Sequence, residues 1–232
     1  MDKKKYVNIL THQADSNKRP HEMALSDFLD FLLEFHDVKH FKEGFDSWAQ
    51  NVTDSKEAHP EYFGLMMDWM NDVTKAMEQG HWLDTFGSIY EELYLSRGKA
   101  SSKGQFFTPP DVSDLMSQIV MNRKPEIQEG KVNDCAAGSG RLLLSHFNEV
   151  SNKGDKAAGR AFWYEAGDSD PIACKMCALN MMIHGMQGRV VCQNTLTLDT
   201  PKVVYYINEV RYPITTPYYS IRQVIPEQKA EK

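Results

Sequence analysis

Little in this sequence suits a membrane span, a secreted scaffold or a polyanion-binding surface. No apolar run approaches the ~20 residues that cross a bilayer. The start, MDKKKYVNILTHQADSNKRP, carries charge but lacks the apolar core and small-residue cleavage site of a secretory leader. The chain therefore reads as cytoplasmic, with a loosely ordered start. Positive charge is also short: the formal net charge is -6 and the pI about 5.8. A nucleic-acid substrate would need a local basic patch or a partner subunit to hold it. Cysteine is scarce, with Cys135, Cys174, Cys177 and Cys192 all in the second half. Cys174 and Cys177 form a C-x-x-C, but no second pair at ligand spacing completes a zinc site, so all four read as buried thiols of a reduced protein. Internal repeats are missing too.

What is present is enough apolar material, 41% of 232 residues, for one sizeable core and a helical extension. From Met23 to about Gly80 the pattern is helical. Leu25, Phe28, Leu29, Leu32, Leu33 and Phe35 recur at three- and four-residue steps, with Ser26 or Asp27 available as a cap. A second segment carries Phe41, Phe45 and Trp48, and a third, opened by Pro60, carries Phe63, Met66, Met67, Trp69, Met70 and Met77 as packing residues. In HDVKH, His36 and His40 stand four apart on one helical face, but Asp37 is too short for the zinc-protease glutamate and no third ligand follows.

A further helix runs from Asp84 to Ser96 and gives way to RGKASSKGQ, read as a mobile basic linker. Thr108 is placed to cap the next helix, with Pro109 and Pro110 in its first turn. From Lys131 strands and helices alternate: KVNDC, GRLLLSHFNEV, RAFWYEAG, PIACKMCALNMMIHGM, RVVCQ and KVVYYINEV. That alternation predicts an α/β fold with a parallel sheet. The division expected is an N-terminal helical region over residues 1–98 and an α/β domain over 99–232.

The stretch NDCAAGSGRLLL ends a strand at Asp134 and turns through Ala136, Gly138 and Gly140 with almost no side-chain bulk. Such a turn serves close helix-on-strand packing, or lets a ligand reach the main chain. The next strand ends at Asp168 and Asp170, with Glu165 inside it, and the third delivers Asn194 to the same rim. Ligands of open α/β sheets bind at the carboxyl ends of the strands, so a glycine turn, an acid and an amide there favour a nucleoside pocket.

These residues carry a resemblance. DCAAGSGRLLL resembles the D-P-x-C-G-S-G cofactor loop of adenine-N6 DNA methyltransferases, especially the modification subunits of type I restriction systems. FGSIYEELYLSRGKASSKGQFFTP is similar to the family's helix and G-Q-F-Y-T-P segment, and DSDPIACKMCALNMMIHGM to its acidic residue, proline and M-N-L-x-x-H-G helix end. The order and spacing agree from Asp84 to about Leu196. The resemblance implies a Rossmann-like S-adenosylmethionine-dependent methyltransferase sandwich. Phe107, Thr108 and Pro109 would embrace the methionine end, and Asp134, Ala136, Gly138 and Gly140 would form the loop beneath it. Asp168 would hold the ribose hydroxyls with Ser169 beside the adenine, and Asn194, followed by Thr195 and Leu196, stands where the family has an aspartate accepting from the exocyclic amine. Cys135 and Ala137 depart from the family's proline and cysteine but are small enough for the loop to close.

Adenine-N6 transfer also needs an amide or acid, two prolines and an aromatic ring after the fourth strand, to hold and stack the extruded base. No such tetrapeptide occurs. In one register Asn208 supplies the amide but Glu209, Val210 and Arg211 replace Pro-Pro-Tyr; in the other Thr215 stands for the amide, Pro217 for the second proline and Tyr218 for the ring. The sheet implied is short of the family's seven strands, which predicts cover for its open side from a dimer, a partner chain or the N-terminal helices. Three functions compete: a DNA adenine-N6 methyltransferase or modification subunit working with a specificity chain, a cofactor-binding module without catalysis, and a methyltransferase for a small molecule or protein.

Overall fold

The computed structural model describes residues 1–41, 45–95, 107–123, 129–153, 161–209 and 219–227. The first residues are ordered rather than loose. Asp2 accepts a hydrogen bond from the Lys5 N–H and caps helix α1 (Lys3–Ser16), whose Tyr6, Leu10 and Ala14, four apart, are buried. The second helix, α2 (His21–Phe35), begins directly after Pro20, five residues before Ser26, so neither Ser26 nor Asp27 is its cap. It ends before His36, and His40 lies in a 3-10 turn (Val38–Phe41), so the two histidines share no helical face. Helix α3 (Phe45–Ala58) has no fully buried residue; Phe45, expected to pack inward, is 74% exposed, with its ring 6.0 Å from that of Trp48 between centres. Helix α4 (Pro60–Glu78) has Pro60 in its first turn and buries Tyr62, Leu65, Met66, Trp69 and Val73.

Asp84 caps the short helix α5 (Thr85–Tyr90), which passes into a π-helical turn (Glu91–Leu95). Helix α6 (Pro110–Arg123) follows; the Pro109 carbonyl takes its first bonds, from the Val112 and Ser113 N–H groups, so Thr108 lies one residue outside the cap position it was expected to fill. Then come β1 (Gly130–Asp134), α7 (Arg141–Lys153), β2 (Phe162–Asp168), α8 (Pro171–Ile183), β3 (Gln187–Cys192), β4 (Val203–Ile207) and β5 (Ile221–Val224). The strands lie in the order β1-β2-β3-β4-β5. The first three are parallel, and β4 and β5 add as antiparallel strands. The sheet is mixed where sequence alternation predicted a parallel one, and a fifth strand, β5, follows the four read from the sequence. The cause lies in the connection: only residues 193–202 separate β3 from β4, too few for the dozen or more, usually helical, that a parallel crossover needs.

Successive right-handed crossovers place α7 and α8 on one face. There Phe162, Tyr164, Ala166, Val190, Cys192, Tyr205, Ile207 and Ile221 are buried. The other face carries a row in register, Asn133, Glu165, Arg189, Tyr206 and Arg222. Arg189 pairs with Glu165 at 3.2 Å and the Arg222 guanidinium lies 4.1 Å from the Tyr206 ring centre, so this face is dressed for water rather than left apolar. The N-terminal helices pack beneath α8, with the Lys175 ammonium 2.6 Å from Asp30 and the Ile221 N–H donating to the His36 carbonyl. One continuous apolar cluster runs from Tyr6 through Trp69 and Phe86 to Ile221. The residue 98/99 boundary and the linker RGKASSKGQ lie outside the described residues. No helix among the described residues is long and apolar enough to cross a membrane.

Candidate cofactor site

The turn after β1 is shaped by two glycines with positive φ, +56° at Gly138 and +92° at Gly140. A Cβ on Gly138 would lie 2.9 Å from the Phe107 ring, and one on Gly140 3.0 Å from the Cys177 sulfur. Left-handed backbone and close neighbours both require glycine here. Both glycines are thus required by the packing around the turn.

Asp134 points into this turn. One carboxylate oxygen accepts from the Ala136 N–H at 3.1 Å, while the other is buried with no hydrogen-bond partner. Burial, reinforced by the Asp168 charge and opposed by the Ala136 bond, raises its pKa above the usual carboxylate range. At the end of β2, Asp168 accepts from the Gly138 N–H at 2.9 Å with one oxygen and from the Asp170 N–H at 2.9 Å with the other. Each carboxylate oxygen has a second lone pair, so two acceptor directions remain for a ligand's hydroxyls. Asp170 caps α8, and Glu165 belongs to the polar row on the sheet's other face.

Phe107, Thr108, Asp134, Ala136 and Gly138 line one cavity of about 40 Å³ with Ala137, Ser139, Arg141 and Leu142. Pro109 and Gly140 frame it without lining it. Asp168 reaches it through Gly138; Ser169, Asn194, Thr195 and Leu196 stand at the neighbouring strand ends, Leu196 fully in solvent. The Asn194 amide oxygen, expected to face a ligand's amine, accepts from the Leu196 N–H at 3.0 Å and so stabilises its own turn.

A buried polar cluster that sequence reading passed over holds the turn from below. Asp84 accepts from Arg141 Nε at 2.6 Å, Ser139 Oγ at 2.6 Å, Asn180 Nδ2 at 2.8 Å and the Gly87 N–H at 2.8 Å. Asp84 and Arg141 are each 4% exposed. Burial works against the Arg141 charge, but Asp84 and Glu91 outweigh it and raise its pKa. Arg141 Nη1 also donates to Glu91 and the Thr108 carbonyl, and the guanidinium lies 5.4 Å from the Phe107 ring centre. The one sequence signal was Asn180, a lone amide in the otherwise apolar run ACKMCALNMMI.

The fourth strand delivers its end elsewhere. In the antiparallel register Val203 lies beside Cys192 and Ile207 beside Gly188, so Asn208 emerges toward the opposite rim, about 10 Å along the strand from the level of Asp134 and about 17 Å from that of Asp168. Its side chain is committed: Nδ2 donates to the Met182 and Met186 carbonyls and Oδ1 accepts from the Ser220 N–H. Asn208, at φ 49°, ties the end of α8 to the β4–β5 hairpin and does not join the residues around the turn. Thr215, Pro217 and Tyr218 lie outside the described residues; of their described neighbours, the Asn208 N–H donates to the Ser220 carbonyl.

The cysteines divide. Cys174, Cys177 and Cys192 are buried, whereas Cys135, read as buried, is exposed on the turn. Among the described residues no three His, Cys, Asp or Glu side chains gather as a metal site.

The profile of the N-6 DNA Methylase family matches residues 82–232. Among curated proteins, the chain is 29% identical over 120 residues to the type I restriction enzyme MpnII methylase subunit of Mycoplasma pneumoniae, covering 50% of this chain and 21% of that protein. It is 27% identical over 109 residues to the MjaIX methylase subunit of Methanocaldococcus jannaschii, 46% and 18% of the two chains. To the EcoEI methylase subunit of Escherichia coli it is 25% identical over 136 residues, 57% and 26%. The matched part thus spans about a fifth to a quarter of these relatives' length.

Proposed function

The chain belongs to the N-6 DNA methylase family, and we propose that it is an S-adenosylmethionine-binding module of that family which does not by itself present adenine for transfer. The observation carrying this reading is the convergence of the glycine turn, the unpartnered Asp134 oxygen and the Asp168 carboxylate at adjoining ends of β1 and β2. The Asp134 oxygen suits a ligand ammonium, which would restore the hydrogen bond and charge pairing that burial withholds. Phe107, Thr108 and Pro109 would hold the methionine end, and the remaining lone pairs of Asp168 the ribose hydroxyls. Ser169, Asn194, Thr195 and Leu196 would border the adenine.

When bound, the cofactor supplies an electrophilic methyl group on a sulfonium. The protein's part is to exclude water and orient that group. Asp84 and Arg141 keep the base of the turn fixed beneath the ligand.

The second reading is transfer to adenine N6 of DNA, within a complex that includes a specificity subunit and a second modification chain. The methylase relatives and the extent of the family match favour it. In that reading Thr215 or Asn208 would address the adenine amine, with Pro217 and Tyr218 flanking and stacking the base. The committed amide of Asn208 favours the module.

Calorimetry with S-adenosylmethionine should give saturable binding, weakened at least tenfold by Asp168→Ala and less by Asp168→Asn. No heat with any of the three proteins would defeat the cofactor reading. Labelled cofactor and unmethylated DNA should give no transfer with this chain alone. Incorporation that Tyr218→Ala abolishes would make the chain an enzyme and overturn the module.

A further inference from the structure

Helix α3 lies along α2 without burying any residue fully, and a cavity of about 830 Å³ is left between them. One face of α2, at positions 27, 30, 31, 34 and 35, forms one wall, and one face of α3, at 51, 54, 55 and 58, forms the other. The end of α1 and the start of α4 complete it. Every lining residue precedes residue 82, where the family match begins.

Five carboxylates line this groove, Asp27, Asp30, Glu34, Asp54 and Glu61, against the single guanidinium of Arg19. Arg19 holds Asp27 through bonds of 2.9 and 2.7 Å, and Lys175 and Lys39 reach Asp30 and Glu34 from outside, each at 2.6 Å. Among the described residues Asp54 has a neutral partner, Gln50 Nε2 at 2.7 Å, and Glu61 has none. With histidines neutral, two negative charges are left uncompensated. On adjoining positions outside the lining, Lys18 and Lys56 are balanced in number by Asp15 and Glu57. The floor is aromatic: the rings of Phe31, His59 and Tyr62 stand 5.7 to 6.2 Å apart between centres. Tyr62 is 8% exposed and lines the cavity, yet its hydroxyl has no hydrogen-bond partner among the described residues. Burial and the Asp27 charge, with Arg19 opposing, push its pKa up to about 12, so at neutral pH it offers an uncharged oxygen to a donor. A buried hydroxyl without a partner costs free energy that a ligand's N–H recovers.

We propose that this groove binds a linear aliphatic polyamine. Asp27, Asp30 and Glu34 follow one another at rises of about 4.5 and 6 Å along α2, a spacing that three- and four-carbon linkers between ammonium groups span. The methylenes lie over Phe31 and Tyr62, whose ring faces also attract the charge. A divalent ion is disfavoured, because among the described residues no three His, Cys, Asp or Glu side chains gather as a metal site; the negative charge is spread along the groove rather than focused. Nucleic acid is repelled by the same charge. A basic peptide would have to fit several long side chains and a backbone along an α2 wall of about 12 Å, whereas a free polyamine brings the same ammonium groups with nothing else to accommodate. This inference is independent of whether the turn after β1 binds a cofactor.

Calorimetry of the full chain with spermidine, between about 10 µM and 1 mM at low ionic strength, tests it. The wild type should give saturable heat, and its affinity should fall as salt is added. Asp54→Asn with Glu61→Gln, both at exposed positions, should weaken binding about fivefold while leaving the melting temperature in place. Tyr62→Phe, which removes the hydroxyl alone, should weaken it about threefold. Glu129→Gln with Glu227→Gln makes the same change in net charge outside the groove and should leave the affinity unchanged. Wild type without saturable heat overturns the inference, including the case in which tetralysine binds and spermidine does not, which would give the groove to a protein partner. So does an equal loss from the two carboxylate pairs, which is attraction to the acidic chain as a whole, or an affinity that survives the groove pair or the loss of the Tyr62 hydroxyl.

Discussion

Replacing Asp84 by alanine removes the acceptor on which four donors converge. The Arg141 guanidinium would be left 4% exposed, with Glu91 as its remaining counter-charge, and the Glu91 side chain is itself 34% open to water. Breaking a buried ion pair from one side costs about 3–5 kcal/mol, because the stranded charge keeps its desolvation penalty. The serine and asparagine donors add to this only in part, since Asn180 Nδ2 also donates to the Ser139 carbonyl and the Ser139 hydroxyl can turn. The expected loss is therefore about 3–5 kcal/mol, a fall in melting temperature of about 6–20 °C for a chain of this size. Urea unfolding followed by far-UV circular dichroism and tryptophan fluorescence measures it, with coincident transitions as the two-state check. Adding Arg141→Met removes the stranded charge, so the double variant should be more stable than the sum of the single losses by about 2 kcal/mol or more. Asp84→Ala within about 1 kcal/mol of wild type, or strict additivity in the cycle, would refute the view that this cluster fastens the turn to the helices.

Gly188→Ala should destabilise the fold by about 3 kcal/mol or more, read from the same urea transitions, because a Cβ there would stand 1.9 Å from the Tyr164 carbonyl oxygen of the adjacent strand. Asp134 carries a raised pKa in the folded state, so its ionisation opposes folding: stability is greatest below the unfolded carboxylate pKa of about 4 and falls as pH rises through the folded value. Asp134→Asn, which keeps the Ala136 bond, should therefore raise the melting temperature at neutral pH, with the gain fading below about pH 4. The same variant should bind S-adenosylmethionine more weakly, and a gain in both properties would separate Asp134 from the ligand.

The alternation of strands and helices, the glycine turn and the acid at the end of β2 were all legible from local sequence. Each is set within a few residues: positive φ demands glycine, a proline suits a first helical turn, and an acid caps the helix beside it. Other features were invisible or misread because they depend on what meets what in space. KVVYYIN has the same apolar pattern in either direction, and the short connection before it decided that β4 runs antiparallel, carrying Asn208 to the far rim. Asp84 and Arg141 lie 57 residues apart, and nothing local to either announces the pair. The apolar rows of α2 and α6 are both plain in the chain, yet α2 turns its row to the core and α6 turns its own to water. Periodicity records that a helix has two faces; only packing assigns each face a neighbour, because burial belongs to the pair of surfaces and not to either sequence alone.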